Sequence, residues 1–226
     1  MPDAVMLFAA GFGTRMGALT KDRPKPLVTV GGTPLIEHAM RFVDEFAPSK
    51  VVANAHYHAD QIVAHFAGTN VTVSVETPDI LDTGGGLKNA LPLLESDIVF
   101  TMNTDAAWRG PTPLQLLKDN WTDGMLALLL CVPTSNVIGH NGKGDFDIDP
   151  SGTAHWGTKY VYSGVQIIRA DIVSNTPEHV FSLKNNWIDL ERRGLLYAIN
   201  YPGQWCDVGH PAGIELAEQM LDAPDV

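Results

Sequence analysis

The chain has 226 residues, with 15 Lys plus Arg against 26 Asp plus Glu and a formal net charge of −11. Apolar residues make up 45% and charged ones only 18%, which excludes a disordered chain, because disorder needs low hydrophobicity with high net charge. The acidic balance argues against a nucleic-acid partner, whose binding surfaces are basic. Two cysteines, Cys131 and Cys206, are too few for a disulfide framework. No apolar run approaches the ~20 residues of a bilayer span, and the opening MPDAV has no basic n-region of a signal peptide. Composition thus predicts a cytoplasmic globular protein with no nucleic-acid and no membrane partner, and leaves the oligomeric state open.

Residues 5–10 form a continuous apolar run, as expected of a parallel strand covered on both faces. Thr33 and Pro34 read as N-cap and first-turn proline of a helix over 35–46, where Leu35, Ile36, Ala39, Met40, Val43 and Phe46 recur at helical spacing. Strands are expected at 51–53, 71–75, 98–102 and 125–132, with helices at 59–66, 87–94 and 112–121 between them. Such alternation predicts an α/β fold, a mostly parallel sheet flanked by helices. Past residue 140 the texture changes: 145–149 alternates and 150–153 is a turn, which predicts an antiparallel hairpin region. Strands at 161–168 and 195–201 and a closing helix at 212–221 complete a single domain over 1–226, with no repeat array of a C-terminal β-helix.

Open α/β sheets bind ligands at the carboxyl ends of their strands. Here the first strand runs into Gly11-Phe12-Gly13-Thr14-Arg15-Met16-Gly17. A dinucleotide fingerprint needs a third glycine where Met16 stands. A P-loop needs glycine, lysine and a hydroxyl residue in the places of Met16, Gly17 and Ala18. The loop is neither, yet its two glycines allow close backbone approach to phosphates. Residues 11–27 also hold Arg15, Lys21, Arg23 and Lys25 against one acid, Asp22. A basic island beside a glycine loop in an acidic protein suits a polyanionic ligand, and Pro24 and Pro26 restrict the backbone around Lys25.

Residues 8–16, Phe-Ala-Ala-Gly-Phe-Gly-Thr-Arg-Met, followed by Arg23-Pro24-Lys25-Pro26-Leu27, resemble the signature of the sugar-1-phosphate nucleotidyltransferases. Asp82-Thr83-Gly84-Gly85-Gly86, Asn103-Thr104-Asp105, residues 142–146, Tyr162-Ser163-Gly164 and residues 205–209 follow in the family's order. The short length and later motifs are most similar to the subfamily that uridylylates N-acetylmuramic acid α-1-phosphate in peptidoglycan recycling. The resemblance implies a Rossmann-like fold and Mg²⁺-dependent nucleotidyl transfer from a nucleoside triphosphate to a sugar 1-phosphate, releasing pyrophosphate. The implied pair is UTP with N-acetylmuramic acid 1-phosphate, with mannose or glucose 1-phosphate as the alternative.

By the same resemblance Arg15 and Lys25 are catalytic, and their chemistry fits a fork of donors and a compact point charge for phosphate oxygens. Ala9, Gly11, Gly13, Thr14, Thr83 and Gly84 are implied around the nucleotide, with Asn54 added at the end of the second strand. Asn103, Asp145, Ser163 and Gly164 are implied around the sugar. Asp105 and Asp207 are implied for Mg²⁺, which takes one or two carboxylates plus substrate phosphates. Two departures stand out. Thr104 replaces a family glycine and is expected to crowd the site, and no Glu-Lys-Pro segment is present, leaving Lys159 as its nearest substitute. A competing class comes from His56-Tyr57-His58-Ala59-Asp60-Gln61, which imitates the histidine motif of metallo-β-lactamase-type hydrolases. An inactive nucleotide-sugar sensor is the third.

Overall fold

In the computed structural model, which describes residues 2–224, the first apolar run becomes β1 (Ala4–Phe8), in the middle of a nine-stranded sheet. The other strands are β2 (Lys50–Ala55), β3 (Val71–Val75), β4 (Ile98–Asn103), β5 (Ala127–Pro133), β6 (Phe146–Ile148), β7 (Ala154–Trp156), β8 (Tyr160–Arg169) and β9 (Leu196–Asn200). β3, β2, β1 and β4 run parallel in that spatial order. β8 pairs antiparallel with β4 and with β5, and β9 then runs parallel to β5. One reversed strand therefore interrupts an otherwise parallel row. β6 and β7 form the expected hairpin, attached at Tyr160 to the start of β8.

Among the described residues six helices cover this sheet, α1 (Leu35–Phe46), α2 (Ala59–His65), α3 (Asp82–Leu94), α4 (Pro113–Asn120), α5 (Ala170–Ser174) and α6 (Leu183–Arg192), while α7 (Ala212–Asp222) packs elsewhere. The apolar runs are continuous because each strand feeds two cores. Val5 and Leu7 join Ile36, Ala39, Ile62, Leu114 and Leu117 on one face, whereas Ala4 and Met6 join Leu87, Leu94, Val173 and Leu190 on the other. Each large aliphatic side chain so buried contributes ~1.5–3 kcal/mol. A third cluster, with Met16, Val28, Leu35, Cys206, Val208 and Met220, lies against α7. It seats the 3₁₀ segment Thr14–Thr20 against a short ribbon of Ala106–Arg109, Gln204–Asp207 and Val137–Ile138.

Three differences from expectation bear on the site, beyond shifts of one to three residues at other ends. The first strand stops at Phe8, so residues 9–13 are loop. The third helix starts at Asp82 rather than at 87, and so takes in Gly84, Gly85 and Gly86. Thr33 does not cap α1: Thr33–Pro34 pairs antiparallel with Thr29–Val30, and Pro34 stands at the N-cap without a side-chain bond. The physical cause is Gly31-Gly32, both with positive φ, a turn that closes a two-residue hairpin, while the residue before a proline is driven extended.

Candidate active site

The carboxyl ends of β1, β2 and β4 converge on a cavity of about 220 Å³. Among the expected residues, Ala9, Gly11, Lys25, Asn54, Thr83, Asn103 and Asp105 line it. Glu76, Ile80 and Asp82 also line it; sequence reasoning misses the first two and includes Asp82 in a motif without giving it a role. Asn54 is 3% exposed, and both ends of its amide are bonded: Oδ1 accepts from Ala9 N at 2.7 Å while Nδ2 donates to Glu76 Oε1 at 2.7 Å. Asn54 therefore ties two parts of the wall together and itself lines the cavity.

The basic island resolves into unequal members. Arg15, Lys21 and Arg23 are exposed, but Lys25, in a 3₁₀ turn behind Pro24, is buried. Its Nζ donates to Asp105 Oδ2 at 2.7 Å. Asp105 lies in the turn after β4, where the chain doubles back into the ribbon. There Ala106 pairs with Asp207, and Val208 N donates to the Asp105 carbonyl at 3.0 Å. Two acids distant in sequence thus leave neighbouring strands at one corner. The Arg15 guanidinium reaches the same corner: a Cβ on Gly209 would fall within 3.0 Å of both Arg15 Nη atoms and of Asp207 Oδ1. His140 Nδ1 is 3.9 Å from Asp207 Oδ2.

The donor set suits a hard cation. Among the described residues no group of three or more His, Cys, Asp or Glu could hold a metal, so an all-protein zinc cage is not built here. Asp105 and Asp207 match instead the one or two carboxylates that Mg²⁺ takes before water and phosphate oxygens complete its shell. Thr104, 2% exposed, turns its hydroxyl onto the Phe8 carbonyl at 2.8 Å and ties the ends of β1 and β4.

The residues expected around the sugar are divided. Asn103 faces the cavity, and the Cα of Gly164 packs so closely on it that a Cβ would stand 2.8 Å from Asn103 Cβ. Asp145 Oδ2 accepts from Tyr162 N at 2.9 Å. Ser163 is 1% exposed, its hydroxyl donating to Leu130 O at 2.6 Å inside the bulge between β8 and β5. Gly13 begins the 3₁₀ segment that holds Thr14, and Gly84 is buried against Phe181. Neither Gly13, Thr14 nor Gly84 is part of the cavity lining. Lys159 is a surface lysine 3.5 Å from Asp147.

The histidine motif has a local explanation. His56 Nδ1 meets the Glu76 carbonyl at 2.9 Å and His58 Nε2 the Lys21 carbonyl at 3.1 Å, while Tyr57 Oη donates to Thr20 O and Gln61 Nε2 to Asp22 O. The segment pins residues 20–22, at the far end of the glycine loop. Cys206 is buried, and burial, with Asp207 beside it, pushes its thiol up to about 12. That makes it a packing residue rather than a nucleophile. No helix among the described residues is long and apolar enough to cross a membrane.

Residues 5–140 match the MobA-like NTP transferase domain family. The chain is 32% identical to the N-acetylmuramate alpha-1-phosphate uridylyltransferase of Caulobacter vibrioides, with 97% of each chain covered. It is 26% identical to the mannose-1-phosphate guanyltransferase of Yarrowia lipolytica, over 91% of this chain and 60% of that one. A crystal structure of HddC from Yersinia pseudotuberculosis complexed with GMP-PN shares the fold at a TM-score of 0.78 and 22% identity, covering 97% and 99% of the two chains. The cavity at the strand ends, the glycine loop and the family match agree: the chain belongs to the MobA-like NTP transferase domain family and is a nucleotidyltransferase of the sugar-1-phosphate class.

Proposed function

We propose that the protein catalyses Mg²⁺-dependent transfer of a nucleotidyl group from a nucleoside triphosphate to a sugar 1-phosphate, and that UTP with N-acetylmuramic acid 1-phosphate is its preferred pair. The observation that carries the reading is the corner where Lys25, Asp105, Asp207 and Arg15 meet beside a cavity walled by the glycine loop. A sugar phosphate oxygen is ionised at neutral pH, so no general base is needed. It attacks the α-phosphorus in line, forming the new O–P bond as the bond to the pyrophosphate oxygen breaks, and the electron pair leaves with pyrophosphate. Two polyanions must be held together while charge shifts, so catalysis rests on positioning and electrostatics.

In this assignment Ala9, Gly11 and Thr83 wall the nucleoside, while Gly13 and Thr14 shape the triphosphate loop. Lys25 and Arg15 neutralise phosphate oxygens. Asp105 and Asp207 would hold Mg²⁺, which supplies charge neutralisation on the phosphates when bound. Asn103 and Gly164 border the sugar, and the exposed Lys143 is the nearest cation on the loop before Asp145 for a lactyl carboxylate. Likeness to the Caulobacter enzyme supports the muramic acid assignment. Thr104, which lines the cavity with its hydroxyl on the Phe8 carbonyl, favours a smaller sugar instead, and the substrate panel decides between them.

Pyrophosphate release across a panel of UTP, dTTP, GTP and CTP with N-acetylmuramic acid, mannose and glucose 1-phosphates tests the proposal. Release is expected only with an NTP and a sugar 1-phosphate together, and only with a divalent cation. No release from folded protein with any pair removes the transferase reading. A hexose phosphate preferred tenfold in kcat/KM, about 1.4 kcal/mol in transition-state binding, removes the muramic acid assignment alone.

A further inference from the structure

We infer that Glu76 is the positioning residue of the nucleotide cavity, its carboxylate locking the loop after β1 to the start of α3; this rests on the nucleotidyltransferase reading of that cavity. Glu76 follows β3 and is 1% exposed. Its backbone is fixed on both sides, its N–H donating to Ala55 O at 2.8 Å and its carbonyl meeting His56 Nδ1 at 2.9 Å. The side chain is fixed as well: Oε1 accepts from Asn54 Nδ2 at 2.7 Å and Oε2 from Leu81 N at 2.8 Å. Through Asn54 Oδ1 the chain of bonds continues to Ala9 N. One relay therefore joins Ala9 on one wall to Leu81, the residue before α3, on the other. The second turn of α3 approaches so closely that a Cβ on Gly86 would lie 2.6 Å from Glu76 Oε1 and 2.8 Å from Asn54 Nδ2, which accounts for the third glycine of the Asp82–Gly86 motif.

The relay obeys a parity rule. Both ends are backbone N–H groups, which can only donate. The two side chains between them must therefore present acceptors outward and a single donor group where they meet. An amide at Asn54 and a carboxylate at Glu76 satisfy this, and so does the swapped arrangement made by Asn54→Asp together with Glu76→Gln. Glu76→Gln alone leaves a donor facing a donor in every orientation, and Asn54→Asp alone sets two carboxylates against each other. Unmet groups at such a depth are expensive, so a single swap must move a wall.

The experiment compares Glu76→Gln, Asn54→Asp and the double variant with the parent, using UTP with Mg²⁺ for calorimetric binding, and KM for UTP and for the sugar 1-phosphate in turnover. Each single variant should raise the dissociation constant and KM for UTP about tenfold or more, with kcat and sugar-phosphate KM changed by less than about threefold. The double variant should fold and bring UTP binding back to within about threefold of the parent. A Glu76→Gln protein with parental UTP binding overturns the inference, as does a double variant that is unfolded or no better than Glu76→Gln. A parent that neither binds nor turns over any NTP instead refutes the transferase reading, so the two failures are distinct.

Discussion

Replacing Lys25 with Met should cripple turnover and yet tighten metal binding in the absence of nucleotide. Lys25 Nζ stands 2.7 Å from Asp105 Oδ2, with side-chain exposures of 10% and 33%. The lysine thus engages one oxygen of the carboxylate proposed to hold the cation. Unit charges ~4 Å apart at an effective dielectric of 20 interact by ~4 kcal/mol. Solvent at the one-third exposed Asp105 reduces this, and taking about a third of it gives ~1.4 kcal/mol, a tenfold gain in Mn²⁺ or Mg²⁺ affinity. Stability should fall by ~2 kcal/mol, between the ~0–1 of surface pairs and the ~3–5 of broken buried ones, lowering Tm by roughly 4–8 °C at this chain length. Loss of a charge contact made to the transferring phosphoryl should cut kcat by ~10²-fold or more. Mn²⁺ titration followed by electron paramagnetic resonance, a thermal melt and a pyrophosphate assay read the three effects separately. Unchanged or weaker Mn²⁺ binding in Lys25→Met would show that the ion pair does not stand where a cation binds.

Arg15→Ala should lower kcat ~10²-fold, while Arg23→Ala, at a residue that lines a groove with Ile214 and Glu218 rather than the cavity, should change it by less than about threefold; equal effects would reduce the island to a solvated loop. Asp105→Asn and Asp207→Asn should each move the Mg²⁺ dependence of turnover to higher concentration, because an amide keeps the shape but not the charge that holds a hard cation; a parental Mg²⁺ titration in either removes that residue from the metal site. Gly164→Ala should cost about 3 kcal/mol, since its φ of 87° and the 2.8 Å approach to Asn103 Cβ combine strain with overpacking; a Tm fall of roughly 6–12 °C is expected, and a parental melt refutes it. His56→Ala and His58→Ala should retain most turnover while lowering Tm, because their ring nitrogens bond backbone carbonyls; co-loss of bound zinc and activity would restore the hydrolase alternative.

Long features of the fold were legible because their pattern repeats. β1 and β5 are apolar throughout since alternate residues enter opposite cores, Leu128, Leu130 and Val132 on one side and Ala127, Leu129 and Cys131 on the other. The ribbon that carries Asp207 was not legible. Its strands have two to four residues, too few for a period of two to register, and its Trp108 and Trp205 read as packing aromatics in any setting. Family order placed Asp207 near Asp105; only the Ala106 to Asp207 register shows how the chain brings them together.

The site itself was legible as charge and illegible as burial. Four cations in residues 11–27 suit a polyanionic ligand, and resemblance singles out Arg15 and Lys25, but composition by itself ranks them no further than the prolines beside Lys25. Burial does: Lys25 alone of the four is withdrawn from solvent, and it is withdrawn onto a carboxylate. The acids show the reverse case. Glu76 is a single acid at a strand end, a position where acids ordinarily serve turns, and nothing in its neighbours announces that its charge is buried. What makes it visible is a relay spanning residues 9, 54, 76 and 81. Such a relay leaves no periodic trace, because its members lie on different elements and are related only by which groups donate and which accept. Asn54 is the counterpart of Glu76: its place at the end of β2 is visible in sequence, whereas the bonds at both ends of its amide are a fact of three dimensions. Residues that touch a ligand tend to sit in motifs, and residues that hold those motifs in place need not.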